Sequence, residues 1–244
     1  MKIVALALLA FSVNPSYGQD SSVSRHHFIW LENLNTKDES HFETYEKNAV
    51  FVKANGDILT GASQIIAHHQ ENLPAFDSIW VLASEQTHRP AYRYEICSMK
   101  SLNAQYTSLV ITKGAMGKRE FEFIAEAKTS GKKSIAIITR QREKWVEICN
   151  QHQAEMLVNE LYHPNAIYFN HRPAISGTKA IAKEYRYMNN PDYQLDLKPL
   201  AFEQVNDQLA YEIGQCVGTY NGKYLLVWQK NQAGEWKILV DSDI

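Results

Sequence analysis

The sequence predicts an α+β protein that contains two copies of one domain, and three observations lead to this fold class. First, residues 45–65 (YEKNAVFVKANGDILTGASQI) and residues 162–181 (YHPNAIYFNHRPAISGTKAI) share one pattern. Second, the tripeptide Tyr94–Ile96 recurs 117 positions later as Tyr211–Ile213. Third, in each copy helical patterns precede β-rich runs separated by turn signals, which favours an antiparallel meander over βαβ units. A repeat of this length can bury its own core.

The composition is that of a globular protein and gives no reason to expect a nucleic-acid partner. Of the 244 residues, 45% are hydrophobic and 21% are charged, and the formal net charge is −2. A nearly neutral chain lacks the basic surface that nucleic-acid binding requires. The three cysteines are an odd number, which excludes a fully paired disulfide framework.

The N-terminus has the pattern of a secretory signal peptide over residues 1–18. Lys2 precedes the apolar run Ile3–Val13, and the small residues Ser16 and Gly18 follow it. We therefore expect cleavage near Gly18 and a secreted or periplasmic bacterial protein. Eleven apolar residues are too few to span a bilayer, so no membrane anchor is expected. Residues 19–27 are polar and are expected to form a loose lead-in.

The first copy is assigned to residues 28–134. Apolar residues recur at helical spacing over 28–45 around a polar break, where Thr36 or Asp38 is a candidate cap. A strand over 48–53 and a helix over 62–71 follow. The meander then comprises four β-rich runs, at 78–83, 91–99, 106–113 and 120–127.

The second copy is assigned to residues 135–244. Its first element is a long helix whose buried face runs from Trp145, 117 positions after Phe28, to Leu161 through Ile148, Cys149, His152 and Met156. The remaining elements are a strand at 166–170, a helix at 178–187 and strands at 195–203, 208–220, 223–230 and 236–241. The apolar run 134–139 (SIAIIT) has no counterpart; we interpret it as a closing strand of the first copy, and its placement stays open.

Three motifs carry a resemblance to a known family. The stretch LYHPNAIYF, the stretch SGTKAI and the hairpin Trp228…Gly234-x-Trp236 resemble the SnoaL-like and nuclear transport factor 2-like (NTF2-like) superfamily. The resemblance covers nearly all of the mature chain and is strongest over 145–244. It implies two tandem cone-shaped domains, each with helices packed in a strongly curved mixed or antiparallel sheet. Because that superfamily contains isomerases, cyclases, dehydratases, hydrolases and binders, it implies a fold more than an activity.

The cone implies a pocket inside each copy, and the two-residue period of strands selects the side chains that face it. The expected lining of the second pocket is Tyr168, Asn170, Trp228 and, from the short helix, Tyr185 and Tyr187. The expected lining of the first pocket is Phe51, Lys53, Leu109 and Ile111. Leu225 and Val227 point the other way, so the two sheets are expected to pack together as an intrachain pseudo-dimer; a homodimer of the whole chain stays open.

The residues do not supply the catalytic set of ketosteroid isomerase, an enzyme of the superfamily that the chain resembles. The carboxylate base of that enzyme corresponds to Asn170 and Lys53 here, and its second acid to Leu226 and Leu109. Neither Asn nor Leu can do that chemistry. We therefore expect an exported protein that binds a small, moderately apolar organic molecule.

One alternative is a lyase, isomerase or hydrolase in which His171 works with Asp241 or Asp243. Another is a purely structural or partner-binding role, which would leave the pockets of both copies collapsed. An enzyme would hold His171 against a carboxylate in a cavity, whereas a binder would leave this histidine in solvent. The doublets His26-His27 and His68-His69 invite a metal interpretation. Because adjacent side chains point in different directions, we expect no metal site, and no cofactor is expected.

Overall fold

The computed structural model of the protein describes residues 21–87, 92–128 and 134–243. The predicted signal peptide, residues 1–18, lies outside the described residues.

The first copy consists of two α-helices, one 3-10 helix (Glu39–Thr44) and a six-stranded sheet. The helices are α1 (Ser21–Thr36) and α2 (Ala62–Asn72). The strands are β1 (Tyr45–Val52), β2 (Ile58–Thr60), β3 (Phe76–Gln86), β4 (Tyr92–Ser101), β5 (Gln105–Lys113) and β6 (Lys118–Ala127). Their order is β2-β1-β6-β5-β4-β3, and only the β1–β6 pair is parallel.

The second copy repeats this topology strand for strand. Its helices are α3 (Ile135–Asn150), α4 (Ala154–Leu161) and α5 (Thr178–Glu184), followed by a 3-10 helix, Tyr185–Asn189. Its strands are β7 (Tyr162–Tyr168), β8 (Ile175–Ser176), β9 (Leu195–Asn206), β10 (Leu209–Gly218), β11 (Lys223–Lys230) and β12 (Trp236–Asp243). Their order is β8-β7-β12-β11-β10-β9, again with one parallel pair, β7–β12. The predicted α+β class and the duplication of one domain are confirmed.

Each sheet has one face toward its own helices and one face toward the other sheet. On β11, Leu226 and Trp228 join the core formed with the helices of the second copy. Leu225 and Val227, on the opposite face, join a core shared by both sheets. In that shared core the rings of Phe121 and Phe169 stack with their centroids 5.5 Å apart. The two copies are therefore joined by an apolar sheet-to-sheet contact within one chain.

The start of the first copy differs from the prediction. Residues 19–27 were expected to be a loose lead-in, but α1 already begins at Ser21. Its buried face carries His27, Trp30, Leu31 and Leu34 at helical spacing, whereas Phe28 is 63% exposed. Trp30, rather than Phe28, is thus the counterpart of Trp145. The 3-10 helix that follows is capped by Asp38, whose carboxylate accepts the N–H of Ser40 at 2.7 Å.

The run 134–139 is part of a helix, so its interpretation as a strand was wrong. Ile138 is fully buried, whereas Ile135 and Ile137 are about half exposed. Such a distribution fits one turn of α3 and not an alternating strand. A short apolar run alone does not distinguish a strand from a helix.

The long helix that was predicted for the second copy is in fact two helices, α3 and α4. The chain turns at His152, whose φ is 60°. A residue with this backbone conformation cannot continue a right-handed helix. Because α4 starts on a new axis, Met156 faces solvent instead of the core. Among the described residues, no helix is long and apolar enough to cross a membrane.

The sheet-to-sheet contact can be tested by removing one of its stacked rings. Phe169→Ala deletes a side chain that is 2% exposed, and we expect the free energy of unfolding in urea to fall by about 3–5 kcal/mol. Phe28→Ala is the matched control on the exposed face of α1 and should change it by less than about 0.5 kcal/mol. Equal effects of the two substitutions would contradict the packing described.

Candidate functional site

A cavity opens inside the second cone, between its helices and its sheet. Its volume is about 20 Å³, enough for one or two water molecules, and it reaches about 360 Å³ only when the open solvent at its mouth is counted. Two acidic groups face it, and the remaining lining is aromatic, aliphatic or sulfur-containing. The lining residues are Trp145, Tyr185, Met188, Tyr193, Leu195, Leu197, Cys216, Tyr224, Leu226, Asp241 and Asp243.

Asp241 lies at the centre of the polar part of this cavity. It belongs to β12, between β7 and β11, where it pairs with Tyr168 and Leu226. Its Oδ2 accepts a hydrogen bond from the Tyr185 hydroxyl at 2.5 Å and another from the Tyr162 hydroxyl. The indole N–H of Trp145 donates in turn to the Tyr162 hydroxyl at 3.1 Å. Groups from two helical segments and from β7 thus converge on one carboxyl group of β12.

The electrostatic environment keeps Asp241 close to the point of ionisation at neutral pH. Burial, and secondarily the nearby Asp243 carboxylate, raise the pKa of Asp241 to about 7, and the two tyrosine hydrogen bonds oppose this shift. Burial also raises the pKa of Asp243, whose Oδ1 accepts the Tyr168 hydroxyl at 2.7 Å. In the part of the chain that the structure describes, no Lys, Arg or His forms an ion pair with Asp241.

The first cone contains the same arrangement at corresponding positions. Trp30 donates to the Tyr45 hydroxyl at 2.7 Å, and Tyr45 donates to Oε2 of Glu122 at 3.0 Å. The ring of His69 completes the group, with Nε2 3.3 Å from the same oxygen. We call these two groups the carboxylate clusters. The first comprises Trp30, Tyr45, His69 and Glu122, and the second comprises Trp145, Tyr162, Tyr185 and Asp241.

A second buried carboxylate is also duplicated. Glu95 and Glu212 are the central residues of the repeated Tyr-Glu-Ile tripeptide, and both are fully buried. Glu212 pairs with Arg142 of α3 at 2.9 Å, and Glu95 lies 3.2 Å from His27 of α1. The hydrogen bonds from Tyr224 and Trp228 complete the surroundings of Glu212.

The two carboxylate clusters differ in one respect, which is the presence of a cation. In the first cone the Arg119 guanidinium forms an ion pair with Glu122, and its central carbon lies 3.7 Å from the Trp30 ring centroid. The corresponding residue of the second sheet is Ile238, since both residues occupy the same place beside a register shift between the last two strands. The first carboxylate is therefore neutralised by the chain itself, and the second is not.

One group in the first cone has the composition of a metal site. Nε2 of His26 and Nε2 of His27 lie 3.3 and 3.2 Å from Oε2 of Glu95. The expectation that this doublet diverges is wrong, because both rings reach one carboxylate. However, Arg119 Nη2 lies 3.2 Å from Nδ1 of His27 and can only donate, which places the His27 proton on Nε2, toward Glu95. A metal would need that nitrogen free, so the observed contacts favour a metal-free hydrogen-bond network.

Comparisons with known proteins concern the fold. No family model and no curated protein matches the chain. A Nostoc punctiforme domain of unknown function with a cystatin-like fold matches with 17% identity, over 45% of this chain and 75% of its own, at a TM-score of 0.38. An NTF2-like protein of unknown function from Shewanella baltica matches with 12% identity, over 48% of this chain and 97% of its own, at 0.39. A putative scytalone dehydratase from Novosphingobium aromaticivorans matches with 13% identity, over 45% and 82%, at 0.38.

Each of these matches spans less than half of this chain. The described residues of the chain form two sheets of identical strand order, one after the other. Likeness at such low identity leaves the activity open.

The predicted lining of the second pocket is only partly what the structure contains. Tyr185 lines the cavity. Tyr168 lies behind it, with its hydroxyl bonded to Asp243, and Trp228 is fully buried with its indole N–H bonded to Glu212 at 3.2 Å. Asn170 follows β7 outside the lining, and Tyr187 packs edge-to-face against Tyr193 without lining the cavity itself.

In the first domain the predicted pocket residues occupy other places. Phe51 fills the core, with its ring centroid 5.0 Å from that of His69, and Lys53 lies partly exposed after β1. Leu109 and Ile111 face the other sheet, so their assignment to a pocket was wrong. Glu95 pairs with Val110 whereas Glu212 pairs with Leu226, because the connecting hairpins differ by one residue. A slip of one residue turns every following side chain to the other face.

His171 is not the partner of Asp241 or Asp243. Its Nδ1 lies 2.5 Å from Oε2 of Glu120, and its ring packs on Tyr92 with centroids 4.1 Å apart. Both partners belong to the first domain, so this histidine joins the two domains. It is mostly buried, yet it does not line the cavity. The contact matches neither expectation, since His171 is neither a cavity base nor a solvated side chain.

The raised pKa of Asp241 predicts a particular pH dependence of stability. The folded protein holds this proton up to about pH 7, whereas the unfolded chain releases it near 3.8. The free energy of unfolding should therefore fall as the pH rises through this window, by at most about 1.4 kcal/mol per pH unit from this group. Asp241→Asn should remove that contribution, as measured by urea denaturation from pH 4 to 7. Asp196→Asn, on the exposed side of β9, is the control and should keep the wild-type slope; a wild-type slope in Asp241→Asn would refute the assignment.

Proposed function

We propose that the second NTF2-like domain binds a small, moderately apolar organic molecule whose polar group contacts Asp241. The observation that carries this proposal is a cavity with aliphatic and aromatic walls and a buried carboxyl group, held by Tyr162 and Tyr185. Such a lining, apolar with few convergent polar groups, is typical of small-molecule sites. Leu195, Leu197 and Leu226 would contact the apolar body of the ligand.

In this proposal the first domain has a structural role. Its carboxylate cluster is neutralised by Arg119, and its core is filled by Phe51, Ile65 and Met99. Its sheet covers the sheet of the second domain through the shared apolar core. The pair would thus reproduce in one chain the dimer expected for single-domain relatives. We further propose that the protein is exported, on the basis of the signal-like residues 1–18.

An acid–base enzyme is the second candidate, and Asp241 favours it. A carboxyl group with a pKa of about 7 can accept or donate a proton at neutral pH. Two tyrosine hydroxyls beside it could stabilise developing negative charge on a substrate oxygen. In this form the lyase, isomerase or hydrolase alternative relies on Asp241 with Tyr162 and Tyr185, and no longer on His171.

Filling the cavity mouth tests the binding proposal. Leu197→Trp enlarges a cavity-lining side chain on β9, and we expect it to weaken binding of 2-naphthol, a neutral aromatic probe, at least tenfold in a fluorescence titration. Leu200→Trp makes the same change on the same strand at an exposed position and should leave the dissociation constant within twofold of wild type. Equal binding by both variants, or no binding by the wild type at millimolar probe, would refute the proposal.

A further inference from the structure

We infer that the ligand of the second domain is a cation, namely an organic amine or guanidinium compound. This inference rests on the proposed function and adds the chemical class of the ligand. It derives from a comparison of the two carboxylate clusters within the chain.

The first domain shows how such a cluster holds a cation. The Arg119 guanidinium lies between the Glu122 carboxylate, with which it pairs, and the Trp30 ring, over which it stacks. An ion pair on one side and an aromatic face on the other is a favourable site for a guanidinium, particularly when buried. Arg119 is itself only 1% exposed, so its charge is fully desolvated and matched inside the cone.

The cavity of the second domain occupies the corresponding place. The counterparts of Glu122 and Trp30 are Asp241 and Trp145, and both line the cavity. The residue that would supply the cation from within the chain is Ile238, which has no charge. The second cone therefore keeps counterparts of the two groups that hold a guanidinium in the first cone. An open cavity lies beside them, between the helices and the sheet.

The charges around the cavity point to the same ligand class. Asp241 and Asp243 both face the cavity, and neither has an ion-pair partner among the described residues. Arg142, on the neighbouring helix, is already bound to Glu212. Burying an anion without a counter-ion is costly, and a bound cation would remove this cost. The aromatic rings of the wall would favour a cation as well; they belong to Trp145, Tyr185, Tyr193 and Tyr224.

The pH dependence of such binding follows from the groups that face Asp241. A cation binds the ionised carboxylate, so affinity should rise with pH through the titration of Asp241. The other titratable groups around the cavity keep their protons in that range, because burial raises the pKa of each tyrosine and of Cys216 above its ordinary value. These groups are Tyr162 and Tyr168 of β7, Tyr185 after α5, Tyr193 before β9, Cys216 of β10 and Tyr224 of β11. Asp243 is the remaining acid of the lining, and its ionisation would act in the same direction. Two charged groups outside the lining act on it, since His171 lowers and Glu184 raises the pKa of Asp243.

The test compares methylguanidinium with methylurea, its neutral isostere, by calorimetric titration of the full chain. At pH 8.5 we expect methylguanidinium to bind at least tenfold more tightly than methylurea, and its affinity to fall at least tenfold at pH 5.5. Asp241→Asn should abolish the preference for the cation. Asp77→Asn removes the same charge from an exposed position of the first domain and should change nothing, which separates the site from general electrostatic attraction.

Three outcomes would overturn the inference. They are equal binding of methylurea, equal losses in Asp241→Asn and Asp77→Asn, and absence of methylguanidinium binding to a wild type that still binds 2-naphthol. In each of them the binding proposal stands if Leu197→Trp still weakens the binding of 2-naphthol. Failure of the cation inference is therefore distinguishable from failure of the binding proposal. The pH comparison uses the wild-type protein and decides the matter even if Asp241→Asn does not fold.

Discussion

Both domains are arranged around one buried carboxylate. In each domain it lies on the strand that comes last in the chain, and it accepts a hydrogen bond from a tyrosine at the start of the first strand. Glu122 lies on β6, which pairs in parallel with β1, and Asp241 lies on β12, which pairs in parallel with β7. Tyr45 and Tyr162 are the first residues of β1 and β7, and each donates a hydrogen bond to the carboxylate of its own domain. A carboxylate inside a core must be hydrogen-bonded. The tyrosine and the tryptophan behind it satisfy this need, and they tie the helices to the sheet at the same point.

What distinguishes the two domains is how this negative charge is balanced. Arg119 balances it in the first domain at the cost of the space that a ligand would use. In the second domain the carboxyl group faces a cavity and stays close to its ionisation point. Duplication allows this division, because the apolar contact between the two sheets joins the two domains. The first domain can then stabilise the fold while the second domain carries Asp241, a buried carboxyl group without an ion-pair partner among the described residues. Functional sites commonly contain such energetically unfavourable groups.

Features set by local periodicity could be predicted from the sequence, and features set by contacts between distant segments could not. The duplication and the opposite faces of Leu225 and Leu226 follow from residue patterns. The faces of Leu109 and Ile111 depend on a one-residue difference between hairpins that no local pattern reveals. The carboxylate clusters contain side chains from helices and strands that are far apart in the chain, so no local motif predicts them. A signal existed for the other pair of buried carboxylates, Glu95 and Glu212, because each is the charged residue of an otherwise apolar repeated tripeptide.

The most direct test of this account is the ionisation of Asp241 itself, measured by carbon-13 NMR titration of the aspartate carboxyl groups, with the resonance assigned by its loss in Asp241→Asn. The account predicts a midpoint near pH 7 for this carboxyl group, and a downward shift of that midpoint when methylguanidinium is present. A midpoint in the ordinary range of an aspartate, about 3–4.5, would show that the charge is already balanced within the folded chain and would contradict the account.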